Sequence, residues 1–134
     1  MFFSLRNQNL SKVVKSLNTK NKKIKSMIFN KTNNELINIK IIRADNFLKR
    51  FKGLMGKNDI DFALLFCNLK DSSIHTSFMK FEIDVYFLDE NGTVYEKTTL
   101  KPWKFYSPEK QAKFILETKK NLLKIEIGDK LEFI

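Results

Sequence analysis

Residues 83–100 read I-D-V-Y-F-L-D-E-N-G-T-V-Y-E-K-T-T-L, and this stretch sets the fold class. Its first six residues are apolar except for Asp84, a composition that predicts a buried strand. The pair Asn91-Gly92 comes next and tolerates the positive φ that a tight hairpin turn requires. The following segment T-V-Y-E-K-T-T-L predicts a second strand. The stretch therefore predicts an antiparallel β-hairpin.

Further short strands are predicted on both sides of this hairpin. Alternating or continuous apolar residues predict them at Leu36–Arg43, Ala63–Cys67, Ile74–Phe81, Phe114–Thr118 and Lys130–Phe133. Pro102 and Pro108 bracket W-K-F-Y-S, which predicts a long loop that carries aromatic side chains. The sequence on both sides of the hairpin is thus rich in short strands.

Two short helices are also predicted. Asp45 can accept hydrogen bonds from the free amides of a first helical turn, and Gly53 can end that helix in a left-handed turn. A helical turn is expected at Leu122–Ile127, before a bend at Gly128-Asp129. No repeat and no parallel β-α-β rhythm is visible. The predicted fold class is α+β, mainly β, as an antiparallel sheet or a small, partly open β-barrel with one or two short helices.

The positive charge is concentrated at the N-terminal end of the chain. The whole sequence carries a net charge of +10, and residues 1–40 hold nine Lys or Arg against the single acid Glu35. We therefore predict a basic, flexible arm or short helix over residues 1–26 and a single β-rich domain over residues 36–134. Association with nucleic acid or an acidic membrane surface is expected only through this arm. An alternative is that the native chain starts at Met27.

The sequence offers little for export, membrane insertion or metal binding. No apolar run reaches the roughly 18 residues of a transmembrane helix, and no secretory signal precedes the domain, so we expect a soluble, cytoplasmic protein. Cys67 is the only cysteine, which excludes an internal disulfide, and its apolar surroundings predict an inert core thiol. With one histidine, no zinc or calcium spacing and no phosphate-binding loop, we predict no metal and no cofactor.

Several polar residues are not explained by core formation. His75 and Met79 share one face of the predicted strand 74–81, and Asp84 and Glu117 stand in otherwise apolar strands. A buried carboxylate needs a partner, and the guanidinium of Arg50 can grip one with two parallel bonds. The candidate ligand-binding residues are therefore Arg50, His75, Met79, Asp84, Trp103 and Glu117.

The order and spacing of these segments resemble a known family. The matching pieces are R-F-K-G-L-M-G at 50–56, H-T-S-F-M-K-F-E-I-D-V-Y-F-L-D at 75–89, Pro102, I-L-E at 115–117 and I-G-D-K-L at 127–131. Together they resemble the family called domain of unknown function 192. The resemblance implies a small β-rich domain of bacteria and archaea, often exported in relatives, with no established activity. Its structural motif positions are Gly53, Leu54, Met55, Gly56, Pro102, Gly128 and Asp129.

This chain departs from the family pattern at three points. It lacks an export signal, it has Ser77 where an aromatic residue is usual, and it has Glu82 where proline is common. The first departure bears on location, and the other two bear on any binding surface around His75.

Two function classes remain open on these residues. The first is a small binding domain without catalysis, whose ligand groove lies between the His75 strand and the Pro102–Pro108 loop, where Trp103, Phe105 and Tyr106 can stack on a sugar ring or pack against a peptide. The second is a hydrolase-like enzyme that uses His75 with Asp84 or Glu117 as acid and base. We favour the binding domain and an unidentified small molecule or protein as its partner.

Overall fold

The computed structural model describes residues 27–43, 60–67, 70–77 and 79–134. Within these ranges the protein is built of β-strands and contains no helix. The strands are β1 (Met27–Asn30), β2 (Glu35–Asn38), β3 (Lys40–Arg43), β4 (Phe62–Cys67), β5 (Ile74–His75), β6 (Ile83–Leu88), β7 (Val94–Leu100), β8 (Phe105–Tyr106), β9 (Phe114–Lys119) and β10 (Leu131–Phe133).

The largest sheet has five strands in the order β3-β4-β9-β6-β7. The predicted hairpin is confirmed, because β6 and β7 pair antiparallel from Ile83 and Leu100 to Leu88 and Val94. Gly92 has a φ of 79° in the turn, and the Asp89 Oδ1 accepts hydrogen bonds from the Asn91 N–H at 2.9 Å and the Thr93 N–H at 3.0 Å. The carboxylate satisfies amides that the turn leaves unpaired.

Both faces of this sheet are covered by apolar side chains. The first cluster joins one face to the three-stranded sheet β10-β1-β2 through Ile28, Leu131 and Phe133. The second cluster covers the opposite face and includes Ile74, which lies on the two-stranded ribbon formed by β5 and β8. Because every residue of β6 is buried, its side chains fill both clusters in alternation, as expected for a strand with no solvent-facing side.

The three-stranded sheet contains a strand that sequence patterning missed. β1 pairs with β10 from Ile28 to Phe133 and with β2 from Phe29 to Leu36. With only four residues, β1 is too short to show a clear periodicity. The sheet thus begins at Met27, before the predicted domain start at residue 36.

The helical prediction for Leu122–Ile127 is wrong. Leu123 and Ile125 are buried, whereas their neighbours Leu122, Lys124 and Glu126 are exposed. This alternation is that of an extended chain, and burying Leu123 and Ile125 against the first cluster prevails over helix propensity. The other predicted helices, over residues 45–53 and in the N-terminal arm, lie outside the described residues.

Two further predictions about the sheet are corrected. The segment Leu36–Arg43 is divided at Ile39 into β2 and β3, which belong to different sheets, and β3 pairs parallel with β4 rather than antiparallel. Ile37, Ile39 and Ile41 all pack with the first cluster, so the alternation continues across the division and conceals it. None of the described sheets closes into a barrel, so the fold is open-sheeted and mainly antiparallel.

Candidate functional site

The two-stranded ribbon places its side chains on two different sides. Ile74 pairs with Tyr106, and both pack with the second cluster, whereas the next pair, His75 and Phe105, is exposed. Successive strand residues point to opposite faces, so burying the first pair turns the second pair toward solvent. Phe105 is 69% exposed, the largest exposed fraction among the large hydrophobic side chains described.

Trp103 extends the exposed surface of the ribbon. Its side chain is 62% exposed, and its backbone has a φ of 63°, a left-handed conformation that is uncommon outside glycine. His75, Trp103 and Phe105 together form what we call the aromatic platform. Trp103 and Phe105 are two residues apart in the chain, so this part of the surface carries more exposed apolar area than a singly scattered side chain does.

Thr76 fixes the loop that carries the aromatic platform. Its buried Oγ1 donates to the Lys101 carbonyl at 2.6 Å and accepts from the Lys104 N–H at 2.9 Å. Its backbone N–H donates to the Lys104 carbonyl at 2.9 Å, and its carbonyl accepts from the Trp103 N–H at 3.0 Å. Four hydrogen bonds from one residue therefore set the path of the chain on both sides of Trp103.

The far end of the same loop is held by Glu96 of β7. Its carboxylate accepts hydrogen bonds from the Tyr106 hydroxyl and from the Glu109 N–H, the latter at 2.9 Å. The bond to Glu96 is the main cause that raises the pKa of Tyr106. The Tyr106 ring also stacks on Phe87, with 5.8 Å between ring centroids. Tyr106 is therefore a half-buried support of the ribbon, in contrast to the exposed Phe105.

Positive charge surrounds the aromatic platform. Lys101 and Lys104 are exposed on either side of Trp103. The nearby acid Glu82 is paired with Lys120 at 2.7 Å, and this bond is the main reason that the pKa of Glu82 is lowered. Glu96, at the far end of the loop, accepts from two neutral donors and keeps its negative charge, and Glu109 beside it is exposed.

The predicted strand 74–81 ends after His75, and this changes the surroundings of Met79. The Thr76 carbonyl accepts from the Met79 N–H at 3.2 Å, which closes a turn in place of an extended strand. Met79 is buried in the second cluster, while His75 is exposed. Contrary to the prediction, His75 and Met79 therefore do not share a face. The reason is that the backbone of Thr76 bonds to the 101–104 loop instead of to a strand partner.

Asp84 is engaged within the fold. Its Oδ1 accepts from the Thr99 hydroxyl at 2.5 Å, and its Oδ2 accepts from the Asn121 N–H at 2.9 Å. Asn121 has a φ of 64°, so the carboxylate holds a tight turn after β9. This arrangement connects three segments of the chain and makes Asp84 a structural residue.

Glu117 lies on the opposite face of the same sheet. It pairs with Val85 across β6 and β9, whereas Asp84 pairs with Thr118, and directly opposed residues share a face. Val85 belongs to the second cluster, which places Glu117 among apolar side chains. Desolvation by burial raises the pKa of Glu117 to about 8. Asp84 and Glu117 therefore cannot meet in one polar cluster.

The other residues indicated by the sequence lie at the edge of the aromatic platform, elsewhere in the fold or outside the described residues. Arg50, Gly53, Leu54, Met55 and Gly56 lie outside the described residues. Pro102 is half-buried in the loop of the aromatic platform, and Cys67 ends β4 and packs against the first cluster. Gly128 has a φ of 96°, and the adjacent Asp129 Oδ2 accepts from the Asn30 side-chain amide and the Glu126 N–H, both at 2.9 Å. This pair shapes the bend before β10.

Sequence reasoning did not single out Thr76 or Glu96, which position the aromatic platform. A threonine between a histidine and a serine carries no periodic signal, and Glu96 is one charge in an alternating strand. The sequence also did not predict β8 within the Pro102–Pro108 loop, because a strand of two residues is too short to show a pattern.

Other features of the surface do not add to this site. Among residues 27–43, 60–67, 70–77 and 79–134, no three His, Cys, Asp or Glu side chains are placed to hold a metal ion. An open depression of about 360 Å³ lies elsewhere, lined by Asp89, Glu90, Lys110, Gln111, Ala112 and Lys113. In the same described ranges no helix has the length and apolar character needed to cross a membrane.

Solved structures of other proteins share this fold. A protein from Sinorhizobium meliloti 1021 described as a "putative transcription regulator" aligns with a TM-score of 0.68 and 17% identity, covering 81% of this chain and 92% of that one. A protein of unknown function from Novosphingobium aromaticivorans aligns with a TM-score of 0.63 and 16% identity, covering 81% of this chain and 84% of that one. At such low identity these similarities show the fold alone.

Relatives found by sequence have a higher identity to this chain. A UPF0127 protein of Pyrococcus furiosus is 40% identical over 112 residues, which are 79% of this chain and 97% of that protein. A UPF0127 protein of Pyrococcus abyssi is 44% identical over 101 residues, which are 71% of this chain and 86% of that protein. The family model of domain of unknown function 192, described as "Uncharacterized ACR", matches residues 28–133. The chain belongs to the domain of unknown function 192 family, as its motifs indicated.

Proposed function

We propose that this protein is a binding domain whose ligand lies on the aromatic platform. The observation that carries the proposal is the exposure of Phe105 and Trp103, at 69% and 62%, on a ribbon whose other side is buried. Ligand sites commonly combine a few apolar rings with precisely placed polar groups. His75, exposed opposite Phe105, supplies such a group.

Preorganisation supports the same proposal. Thr76 and Glu96 hold both ends of the loop by hydrogen bonds, so the rings are positioned before a ligand arrives. Less ordering of the loop then opposes binding. Covering about two thirds of two aromatic rings of ~150–250 Å² gives roughly 5–8 kcal/mol before the cost of association. This amount alone favours weak binding, so polar groups beside the rings must contribute.

The site differs in shape from the groove expected from the sequence. Of the candidate ligand-binding residues that the structure describes, Met79, Asp84 and Glu117 are buried, and His75 and Trp103 are exposed. Phe105 joins them. We retain the proposal that a single β-rich domain follows a basic arm over residues 1–26, and that the arm attracts acidic surfaces independently of the aromatic platform.

The enzyme alternative pairs His75 with Asp84 or Glu117. Burial in the second cluster raises the pKa of Glu117 to about 8, which would let it act as an acid, but His75 is exposed on the side of the ribbon away from that cluster, so catalysis would require the two groups to be brought together. Asp84 is already engaged by its hydrogen bonds to Thr99 and Asn121. A hydrolytic activity that is abolished by both His75→Gln and Glu117→Gln, in variants that still fold, would favour the enzyme.

A ligand screen by thermal stability tests the binding proposal. The unmodified protein is screened against sugars, nucleotides, oligonucleotides and short peptides, and each ligand that raises the melting temperature is tested again on Phe105→Ala and Trp103→Ala. We expect the stabilisation to disappear in both variants, since a bound ligand stabilises only the form that binds it.

The matched control is Ile127→Ala. Ile127 is 61% exposed, almost as much as Trp103, but it lies in the bend before β10. Ligand stabilisation should be unchanged in this variant. A ligand that stabilises all three variants as strongly as the unmodified protein would show that the site is elsewhere and would overturn the proposal.

A further inference from the structure

We propose that the aromatic platform, together with Lys101 and Lys104, binds single-stranded nucleic acid. This inference rests on the proposed function and names its ligand class. Proteins that bind single strands combine aromatic side chains, on which bases stack, with positive charge that follows the phosphates. Both components are present along residues 101–105, which read K-P-W-K-F.

The rings are suited to stacking because their outer surfaces are accessible and their backbone is fixed. Phe105 projects from β8 on the side away from the second cluster, and Trp103 stands on the loop that Thr76 holds. Every nucleic-acid base presents a flat π-face, so two exposed rings accept successive bases without sequence preference. The imidazole of His75, exposed opposite Phe105, adds a third planar ring to this surface.

The charge beside the rings complements phosphate. Lys101 and Lys104 are exposed, and residues 97–108 contain no Asp or Glu. Of the acids around the loop, Glu82 is paired with Lys120, whereas Glu96 accepts from the neutral Tyr106 hydroxyl and Glu109 N–H and keeps its charge, and Glu109 and Asp71 are exposed nearby. A neutral sugar would use the rings but would gain little from the lysines. A polyanion with aromatic bases uses both.

The platform selects single strands over a duplex. Bases in a duplex are already stacked on one another and present only their edges, so Trp103 and Phe105 cannot reach a π-face there. The basic N-terminal segment behaves differently. Residues 1–26 contain seven Lys or Arg and no acid, and such a segment attracts phosphates of either form. Preference for single strands therefore separates the two contributions.

The test uses the full-length chain and fluorescein-labelled oligonucleotides of roughly 12 nucleotides, a length within the site size of single-strand binders. Oligo(dT), oligo(dA) and a blunt duplex of the same length are titrated by fluorescence anisotropy at about 50 and 200 mM salt. Unlabelled strands are titrated in parallel while the emission of Trp103, the only tryptophan, is recorded.

We expect both single strands to bind more tightly than the duplex and to quench Trp103. Phe105→Ala and Trp103→Ala should each weaken single-strand binding by about fivefold to a hundredfold, the range that loss of one stacked base implies. Lys101→Gln combined with Lys104→Gln should weaken binding and reduce its salt dependence. Ile127→Ala, and Lys124→Gln combined with Lys130→Gln, alter exposed residues elsewhere and should leave single-strand affinity unchanged.

Each contrary result has a distinct meaning. Equal affinity for duplex and single strand, unchanged in Phe105→Ala and Trp103→Ala, would assign binding to the N-terminal segment and overturn this inference while leaving the proposed function standing. If single strands do not bind the platform but a sugar or peptide does and quenches Trp103, only the ligand class is overturned. If no ligand of the panel responds to the platform substitutions, the proposed function fails as well.

Discussion

At the scale of single residues, two of the buried carboxylates, Asp84 and Glu117, have different roles. Asp84 lies where two donors from other segments reach it, whereas Glu117 is surrounded by apolar side chains that penalise its charged form. Both occupy central strands of one sheet and look alike in the sequence. Their difference follows from the face on which each side chain falls.

Replacing Asp84 should destabilise the fold. Asp84→Ala removes the acceptor of the Thr99 hydroxyl and of the Asn121 N–H, and we expect the free energy of unfolding to fall by about 2–4 kcal/mol. Urea unfolding measures the change. The control is Asp71→Ala, because Asp71 is exposed and its carboxylate accepts from the neighbouring Ser73 N–H. Equal effects of the two substitutions would refute the structural role of Asp84.

Glu117 should make stability depend on pH. Its folded pKa of about 8 exceeds the ordinary value of 4.5, so the folded state holds the proton more tightly than the unfolded state. The contribution to stability is therefore fully present below about pH 4.5 and is lost as the pH rises through about 8. The difference is on the order of 3–5 kcal/mol.

Glu117→Gln tests this directly. The amide matches the protonated carboxyl in size and stays neutral, so this variant should lack the decline between about pH 5 and pH 9. Chemical denaturation at each pH, compared with the unmodified protein, isolates the contribution of Glu117. Parallel stability curves for the two proteins would show that Glu117 does not carry the titration.

At the scale of elements, the ribbon depends on Thr76 more than on its two short strands. With two residues in each strand, β5 and β8 form few ladder bonds of their own, and the loop after Leu100 is held mainly by Thr76. The rigidity of the aromatic platform therefore depends mainly on the hydrogen bonds of Thr76.

Thr76→Val should loosen the platform. Valine keeps the shape but removes the hydroxyl that bonds to Lys101 and Lys104, and we expect a loss of about 1–3 kcal/mol in unfolding free energy. The anisotropy of Trp103 emission should also fall, since its loop gains motion. Thr76→Ser retains the hydroxyl and serves as the control. If both variants leave the anisotropy unchanged, Thr76 does not hold the loop.

The bend before β10 depends on a glycine for a purely local reason. Gly128 has a φ of 96°, and a Cβ added there would meet nothing within 4 Å. Gly128→Ala should thus cost about 1–2 kcal/mol through backbone strain, without a steric clash. Thermal or urea unfolding measures it. A neutral substitution would mean that the bend relaxes to an ordinary conformation.

At the scale of the whole molecule, the sequence predicts the elements better than their arrangement. Ile83–Leu88, Phe114–Thr118 and the Asn91-Gly92 turn are recognised because each has local chemistry that favours one structure. The parallel pairing of β3 with β4 and the position of β1 are not, since they depend on partners far along the chain. Leu123 and Ile125 likewise obtain their extended form from the core they join.

The candidate site, like the fold, is predicted from the sequence only in part. His75 and Trp103 stand out in the sequence by their chemistry, and both are on the surface of the ribbon. Met79 and Asp84 stand out equally but are buried, because the turn at Thr76 and the donors from Thr99 and Asn121 are tertiary features. The sequence indicates Phe105 and Tyr106 together as aromatic residues of the loop, and only their pairing with His75 and Ile74 shows that Phe105 is exposed while Tyr106 packs with the second cluster.

Quenching of Trp103 fluorescence by acrylamide measures whether the aromatic platform is exposed to solvent in the ligand-free protein. Trp103 is the only tryptophan and is 62% exposed, so its emission should lie at long wavelength and its quenching constant should approach that of the urea-unfolded chain. Short-wavelength emission with weak quenching in the folded, ligand-free protein would show that the ring is covered and would contradict the account.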